Sequence, residues 1–144
     1  MSFDMIIQDI RLDNWNWNVR VYYDVSSKYV DTIIDDMKTI GANNDSINNL
    51  YTMLLYGGRN CGFTYTNGDN NASIVVIGKT TNAEQFQNTF DHEKGHLATH
   101  IAQILNINLY GEEYQYLIGD IGLKLFKVAK QYLCDTCRHK LNID

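Results

Sequence analysis

Residues 73–102, "SIVVIGKTTNAEQFQNTFDHEKGHLATHIA", contain the strand and the helix on which the predicted fold depends. The stretch begins with an apolar run of β-branched residues, which is typical of a strand. Thr81 and Glu84 match a T-x-x-E capping box, and the residues after them predict a helix that reaches about Leu105. The stretch therefore predicts a strand followed by a long helix that carries three of the four histidines in the chain.

The sequence on either side predicts further strands and helices. We expect strands near residues 3–12, 15–23 and 61–66 and helices near residues 27–40, 45–56 and 112–133. Asp45 is the predicted N-cap of its helix, and Asn67 and Gly68 are the predicted positive-φ turn of a hairpin. The order ββααββαα predicts an α+β fold with an antiparallel or mixed sheet and a long C-terminal helix that backs the histidine-bearing helix.

The composition bounds the class of protein. At 144 residues, of which 44% are hydrophobic, the chain is long enough for one ordinary core, so we expect a single domain over residues 1–144. A net charge of −5 disfavours nucleic acid as a partner, because binding to phosphates requires a basic surface. The beginning, "MSFDMIIQDIRLDN", lacks the basic segment of a signal peptide, and no apolar run approaches the length of a membrane span. These features predict a soluble, cytoplasmic protein that does not bind membranes.

His92, Glu93 and His96 form an H-E-x-x-H motif, "HEKGH", inside the predicted helix. Residues four apart project about 40° apart and about 6 Å along a helix axis, so both imidazoles can reach one metal ion. Glu93 lies near the same face, where a carboxylate in zinc hydrolases takes a proton from water. Glycine inside a helix costs roughly 0.5–1 kcal/mol relative to alanine, so Gly95 indicates that backbone or substrate comes close there. The alternative is a solvent-facing helix whose histidines form charge pairs.

A catalytic zinc ion needs a third protein ligand and one open position. His100 follows His96 by four residues, but an i, i+4, i+8 row spans about 12 Å along a straight helix, too far for one ion. We therefore expect His100 to pack beside the site or to contact one of its ligands. Glu112 and Glu113, at the start of the next helix, are better candidates for the third ligand, although the helix dipole also favours acidic residues there.

The pattern from "HEKGH" to "EEYQYL", in which Glu112 stands sixteen positions after His96, resembles the gluzincin type of zinc metallopeptidase. More closely, the stretch from "SIVVIG" through "GEEYQYLIGDIG" to "CDTC" resembles small, largely uncharacterised zincin-like proteins of bacteria and their phages. The resemblance implies a small zincin-like fold in which His92, His96 and a glutamate hold Zn²⁺. Gluzincins place a small residue three positions after the ligand glutamate. Counting back from Gln115 selects Glu112, but glutamine departs from that pattern, so Glu113 remains an alternative.

The resemblance also implies an activity. The chain would hydrolyse peptide bonds in a peptide or protein substrate, with Glu93 as general base and later as proton donor. "SIVVIG" would be an edge strand that binds an extended peptide by β-augmentation. That strand comprises Ser73, Ile74, Val75, Val76, Ile77 and Gly78. Asp120, two turns after Glu112, is a candidate for orienting a ligand histidine. The group that stabilises the oxyanion is left open among Tyr110, Tyr116, Tyr132, His100 and His139.

Two other functions fit the same sequence. A non-catalytic binding or structural protein, associated with phages for example, could retain a zincin scaffold, and a short chain with little material for a deep cleft favours it. A metal-assisted hydrolase or transferase that acts on non-peptide substrates also fits the motif. The sequence does not predict the oligomeric state or the side-chain preference.

Cys134 and Cys137, in "CDTCRH", are the only closely spaced pair among three cysteines. With His139 two residues further on, the pair is compatible with half of a zinc site, with a redox pair or with idle thiols. Only the distant Cys61 remains to supply a second pair of zinc ligands. The odd number of cysteines argues against a disulfide framework.

Overall fold

A four-stranded mixed sheet forms the centre of the computed structural model, which describes residues 5–141. The spatial order of the strands is β1-β2-β4-β3, so β4 is an interior strand and β3 is an edge strand. β2 and β4 run parallel, and the pairs β1/β2 and β3/β4 are antiparallel. The strands are β1 (Ile6–Leu12), β2 (Trp17–Val25), β3 (Gly62–Asn67) and β4 (Ala72–Gly78).

Five α-helices accompany the sheet in the described part of the chain. They are α1 (Val30–Thr39), α2 (Asn44–Tyr56), α3 (Ala83–Ile104), α4 (Glu112–Ala129) and the short α5 (Asp135–Lys140). Turns of 3₁₀ helix precede α1 and follow α4. The α+β prediction is confirmed, and so is the order of the predicted elements. The beginning of the predicted first strand, at Phe3 and Asp4, lies outside the described residues.

The two faces of the sheet bury two separate hydrophobic clusters. Alternate residues of β2 face opposite sides: Val21 packs with α3 and α4, and Tyr22 packs with α1 and α2. On the first side, α3 packs mainly against β3 and α4 packs against β1. The helix that carries "HEKGH" therefore lies beneath the β3 edge of the sheet.

An aromatic stack attaches the start of α3 to the sheet. The ring centroids of Phe86 and Tyr132 are 4.9 Å apart, and those of Tyr23 and Tyr132 are 5.3 Å apart. All three side chains are buried, as is Phe90, whose ring centroid lies 5.1 Å from that of Phe86. Buried stacks of this kind add to the free energy gained from burial alone.

The predicted helix caps are wrong by one or two residues. The N-cap of α2 is Asn43, whose side chain accepts a hydrogen bond from the backbone N–H of Ser46, and Asp45 lies inside the first turn. The N-cap of α3 is Asn82, which accepts from the N–H of Gln85 at 2.9 Å. Thr81 and Glu84 therefore do not form the predicted capping box. Asparagine competes well with aspartate and threonine for this position, so sequence spacing alone selected the wrong residue.

The predicted turn of the hairpin is also wrong. Asn67 has an extended φ of −118°, and its side chain caps a 3₁₀ turn at Gly68–Asn70. The left-handed residue is Asn71, with a φ of 47°. The loop is thus longer than the two-residue turn that an Asn-Gly pair usually forms. Among residues 5–141, no helix has the length and hydropathy needed to cross a membrane.

Two isoleucines of α3 provide a test of this packing. Ile101 is fully buried between the sheet and α4, whereas Ile104 is 42% exposed at the helix end. We expect Ile101→Ala to lower the free energy of unfolding by about 2–5 kcal/mol and Ile104→Ala by less than about 1 kcal/mol. Urea denaturation of both variants measures the difference. Equal losses would contradict the orientation of α3.

Candidate metal centre

His92 and His96 converge on the outer face of α3, next to the β3 edge. Their Nε2 atoms are 3.2 Å apart, and their rings are nearly perpendicular, with an interplanar angle of 83°. Two nitrogens that each lie about 2.0–2.1 Å from a tetrahedral zinc ion are separated by about 3.3 Å. The distance between the imidazoles therefore fits two ligands of one ion.

Glu93 is buried between α3 and β3, and its two carboxylate oxygens have different surroundings. The hydroxyl of Thr64 donates to Oε1 at 2.8 Å and lies 3.3 Å from the backbone carbonyl of Glu93. Oε2 lies 3.9 Å from Nε2 of His92. Only 4% of the residue is exposed. One oxygen is thus fixed by the sheet while the other faces the histidine pair.

The first residue of β3, Gly62, makes room for this carboxylate. A Cβ atom at position 62 would lie 2.6 Å from Cγ and 2.9 Å from Cδ of Glu93, closer than carbon atoms can approach. Sequence reasoning did not identify Gly62 as part of the site. The signal was present, because a glycine within a strand often marks a close approach of another group.

A cavity of about 360 Å³ borders Glu93 and His92. Its walls come from α2, from the start of β3 and the residues just before it, and from the first half of α3. They include Met53, Cys61, Gly62, Thr89, His92 and Glu93. The carboxylate itself is hardly exposed to bulk solvent, but it faces a space large enough for water and a small chemical group.

His100 lies beside the pair but has another partner. Its Nδ1 is 3.0 Å from the hydroxyl of Thr66, which is 2.8 Å from the hydroxyl of Ser73. Ser73 in turn accepts a hydrogen bond from the indole of Trp17 at 3.0 Å. Burial, and to a smaller extent the proximity of His96, lower the pKa of His100. The side chain is part of a polar chain that continues into the core, and the lowered pKa favours its neutral form.

The predicted third ligand does not reach the histidine pair in this structure. Among residues 5–141, no group of three or more histidine, cysteine, aspartate or glutamate side chains is arranged to hold a metal ion. Glu112 and Glu113 are both exposed in the first turn of α4. The pair thus fits two zinc ligands, and a third ligand from α4 stays a prediction.

The structure does not support the predicted role of Asp120. Its carboxylate pairs with Lys124 at 3.2 Å, and Lys124 also donates to the carbonyl of Arg11 on β1. β1 is the edge opposite to β3, so Asp120 lies on the side of the sheet away from the histidine pair. The prediction that it orients a ligand histidine therefore gains no support from these contacts, which turn this face of α4 toward β1.

Tyr114 is a hydroxyl that sequence reasoning missed. Its oxygen lies 3.2 Å from the hydroxyl of Thr99, seven residues after His92 and so on the same face of α3. Other candidates for the oxyanion are placed less favourably. Tyr132 is buried in the aromatic stack, and burial raises its pKa. Tyr110 and Tyr116 are 97% and 69% exposed.

Two candidates for the oxyanion remain: His100 lies beside the histidine pair, and His139 is exposed on α5. α5 contacts α3 at Ala83, where the carboxylate of Asp135 accepts the backbone N–H at 3.0 Å. Ala83 lies more than two helical turns before His92. His139 is therefore associated with the far end of the helix.

The prediction that "SIVVIG" is an edge strand is wrong. These residues form most of β4, which is hydrogen-bonded to β2 on one side and to β3 on the other. An interior strand has no free backbone groups for a peptide. The edge of the sheet on the side of the histidine pair is β3. Because the N–H of Gly78 bonds to the carbonyl of Cys61, the alternation of an antiparallel pair turns the backbone groups of Thr64 and Thr66 outward.

The two glycines nearest to the motif give a matched test. Gly62→Ala should lower the free energy of unfolding by about 1–3 kcal/mol, because the added methyl group collides with Glu93. A Cβ at Gly95 would meet no atom within 4 Å, so no other backbone segment comes close there, and the approach of a substrate stays a prediction. Gly95→Ala should therefore raise the free energy of unfolding by roughly 0.5–1 kcal/mol. Chemical denaturation measures both values, and a Gly62→Ala variant as stable as the unmodified chain would show that Glu93 does not occupy this space.

Comparisons of the chain with protein-family models, with curated proteins and with solved structures found no match. The gluzincin resemblance is thus carried by the residues of the motif and stays a prediction. The function has to be argued from the geometry around His92, Glu93 and His96.

Proposed function

We propose that this chain is a zinc-dependent metallopeptidase with a zincin-like active-site helix, in which His92 and His96 bind Zn²⁺ and Glu93 is the general base. One observation carries the proposal. Two imidazole nitrogens 3.2 Å apart share a face of α3 with a buried carboxylate, whose free oxygen lies 3.9 Å from one of them. A solvent-facing helix with incidental histidines gives no reason to bury Glu93 beside them.

The burial of Glu93 favours a positive charge at the histidine pair. A carboxylate removed from water is costly unless hydrogen bonds and an opposite charge compensate it. Thr64 satisfies one oxygen, and the other oxygen faces the place where a cation between His92 and His96 would lie. A divalent ion supplies this charge without requiring either imidazole to be protonated, and neutral imidazole is the form that binds metals.

The residues around the site can then act in peptide hydrolysis. When bound, zinc would polarise the scissile carbonyl and make water a stronger acid. Oε2 of Glu93 would accept the proton from the attacking water and later deliver it to the leaving amine. Thr64 holds the carboxylate in place throughout, since it bonds to the oxygen that does not react. The hydroxyl of Tyr114 is a candidate for stabilising the oxyanion, because its contact with Thr99 lies on the histidine face of α3. His100, whose ring centroid is 5.9 Å from that of His96, is a second candidate.

The third ligand in this proposal is Glu112, with Glu113 as the alternative. The contact between Tyr114 and Thr99 places the first turn of α4 beside α3, about one turn beyond His96. Both glutamates are exposed, so a change of rotamer costs them no buried contact. Zinc binding would draw one of them to the pair.

The substrate in this proposal is an extended peptide that pairs with β3. A groove of about 480 Å³ runs beside this strand, between Asn43 and Ser46 of the α2 start and His100 and Gln103 of α3. The outward N–H and C=O groups of β3 can bind a peptide backbone independently of its side chains. β3 thus takes the role that the sequence had assigned to "SIVVIG".

A second candidate is a non-catalytic binding protein that keeps the scaffold. The described residues favour it in one respect, because they do not gather three metal-ligating side chains. A site with two histidine ligands can hold zinc more weakly without supporting hydrolysis. Metal analysis alone therefore cannot decide between the two functions.

Substitution of Glu93 separates them. We expect the purified chain to bind one zinc ion, the double variant His92→Ala/His96→Ala to bind none, and Glu93→Gln to bind zinc while hydrolysing peptides about 10²–10⁴-fold more slowly. Elemental analysis gives the stoichiometry, and mass spectrometry of a digested peptide library gives the rates. Hydrolysis by Glu93→Gln at the rate of the unmodified chain would contradict the proposed mechanism. A zinc-loaded chain that cleaves no peptide would favour the binding protein.

The third ligand is tested by two neighbouring variants. We expect Glu112→Gln to weaken zinc binding by more than about 100-fold, because even groups that only orient a ligand contribute about 10–100-fold. Glu113→Gln removes the same charge one residue away and should leave the affinity nearly unchanged. Competition with a chromogenic chelator measures both affinities. The opposite result would assign the ligand to Glu113, and two unaffected variants would exclude this turn of α4.

A further inference from the structure

We propose that Cys134 and Cys137 form a redox-active pair that closes reversibly into an intramolecular disulfide by exchange with a low-molecular-weight disulfide. The pair lies at α5, outside the candidate metal centre. The proposal is independent of the peptidase function.

The two thiols are close and accessible. Cys134 directly precedes α5 and Cys137 lies in its first turn, so the backbone N–H of Cys137 reaches Sγ of Cys134 at 3.5 Å. Both side chains are exposed. A small oxidant can therefore reach either sulfur, and the neighbouring thiol lies within one helical turn.

The two thiols also differ in acidity, and the direction of the difference is the one that thiol–disulfide exchange requires. The pKa of Cys134 is lowered mainly by a hydrogen bond from the backbone of Cys137 and next by one from its thiol. Hydrogen bonds from Thr136 make smaller contributions in the same direction. The hydrogen bond to Cys134 raises the pKa of Cys137, and a smaller loss of hydration acts in the same direction. A more acidic thiol beside a less acidic one suits an attacking thiolate with a resolving partner.

The exchange is balanced in two steps. The Cys134 thiolate attacks one sulfur of the small disulfide, forming a mixed disulfide and releasing one small thiolate. Cys137 then loses its proton to solvent, and its thiolate attacks Sγ of Cys134, releasing the second small thiolate. The pair is oxidised by two electrons, and the small disulfide is reduced to two thiols.

The surrounding contacts allow α5 to stay folded in both states. Asp135 accepts the backbone N–H of Ala83, and the buried guanidinium of Arg138 donates to the carbonyl of Thr80 at 2.8 Å and to its hydroxyl at 2.9 Å. These anchors belong to the residues beside the cysteines rather than to the sulfurs. Oxidation can therefore change the thiols without releasing α5 from the start of α3.

A zinc site at this pair has less support. Among the described residues, no third histidine, cysteine, aspartate or glutamate joins Cys134 and Cys137 in a group that could hold an ion. The third cysteine, Cys61, is half-buried, and its thiol donates to the carbonyl of Gly57 at 2.9 Å. It provides an internal control.

Redox titration of the full chain tests the proposal. The chain is equilibrated in oxidised and reduced glutathione at a series of ratios, the free thiols are trapped with N-ethylmaleimide, and the products are weighed by mass spectrometry. The unmodified chain and Cys61→Ser should both convert in one two-electron step to a form with Cys134 and Cys137 untrapped and no glutathione attached. Cys134→Ser and Cys137→Ser should instead accumulate glutathione adducts.

Two results would contradict the proposed redox pair. One is a Cys134/Cys137 dithiol that stays fully trapped at every ratio, and the other is an unmodified chain that accumulates only glutathione adducts. A separate measurement of alkylation rates shows which of the two thiols attacks first. Iodoacetamide should modify Cys134 in the Cys137→Ser variant faster at neutral pH than it modifies Cys137 in Cys134→Ser, and equal rates would refute Cys134 as the attacking thiol.

Discussion

The hydrogen bond between Thr64 and the buried carboxylate of Glu93 is the contact on which the candidate site depends. A carboxylate enters the interface of a helix and a strand only if a donor meets it and if there is room for it. Thr64 supplies the donor and Gly62 supplies the room. Once Glu93 faces β3, the geometry of the helix directs His92 and His96 outward past the edge of the sheet. The direction in which the histidine pair faces is therefore a consequence of how the neighbouring residue is buried.

The local periodicity of the sequence predicted the order of the elements and the face of α3, because both depend on residues within a few turns of each other. The position of each strand in the sheet depends on distant pairings. Even so, "SIVVIG" contained a usable signal. Four consecutive apolar residues without alternation indicate a strand covered on both faces, as β4 is. The resemblance to zincin-like proteins outweighed that signal and led to the wrong edge strand. Residues 63–66, which alternate aromatic and threonine side chains, have the pattern of the true edge.

The same distinction between local and distant residues applies to the predicted metal ligands. His92 and His96 are four residues apart on one helix, so their convergence could be predicted from the sequence alone. A third ligand from α4 depends on the loop after α3, on the depth at which the helices pack, and on a rotamer that the metal itself helps to choose. The contact that fixes this packing involves Tyr114 and Thr99, and neither residue belongs to a recognisable motif. Sequence spacing therefore offered two adjacent glutamates but no means of choosing between them.

Hydrogen bonds hold helix α3 at three levels. Asp135 and Arg138 fix its beginning through hydrogen bonds with Ala83 and Thr80. Glu93 fixes its middle against β3, and Tyr114 meets its later turns from α4. The histidine pair thus lies between anchors that come from three separate parts of the chain. A metal site needs this kind of support, because ligands held to within about 0.5 Å require neighbours that are themselves fixed. The two outer anchors also place the cysteine pair near the beginning of α3 and the predicted glutamate ligand near its later turns.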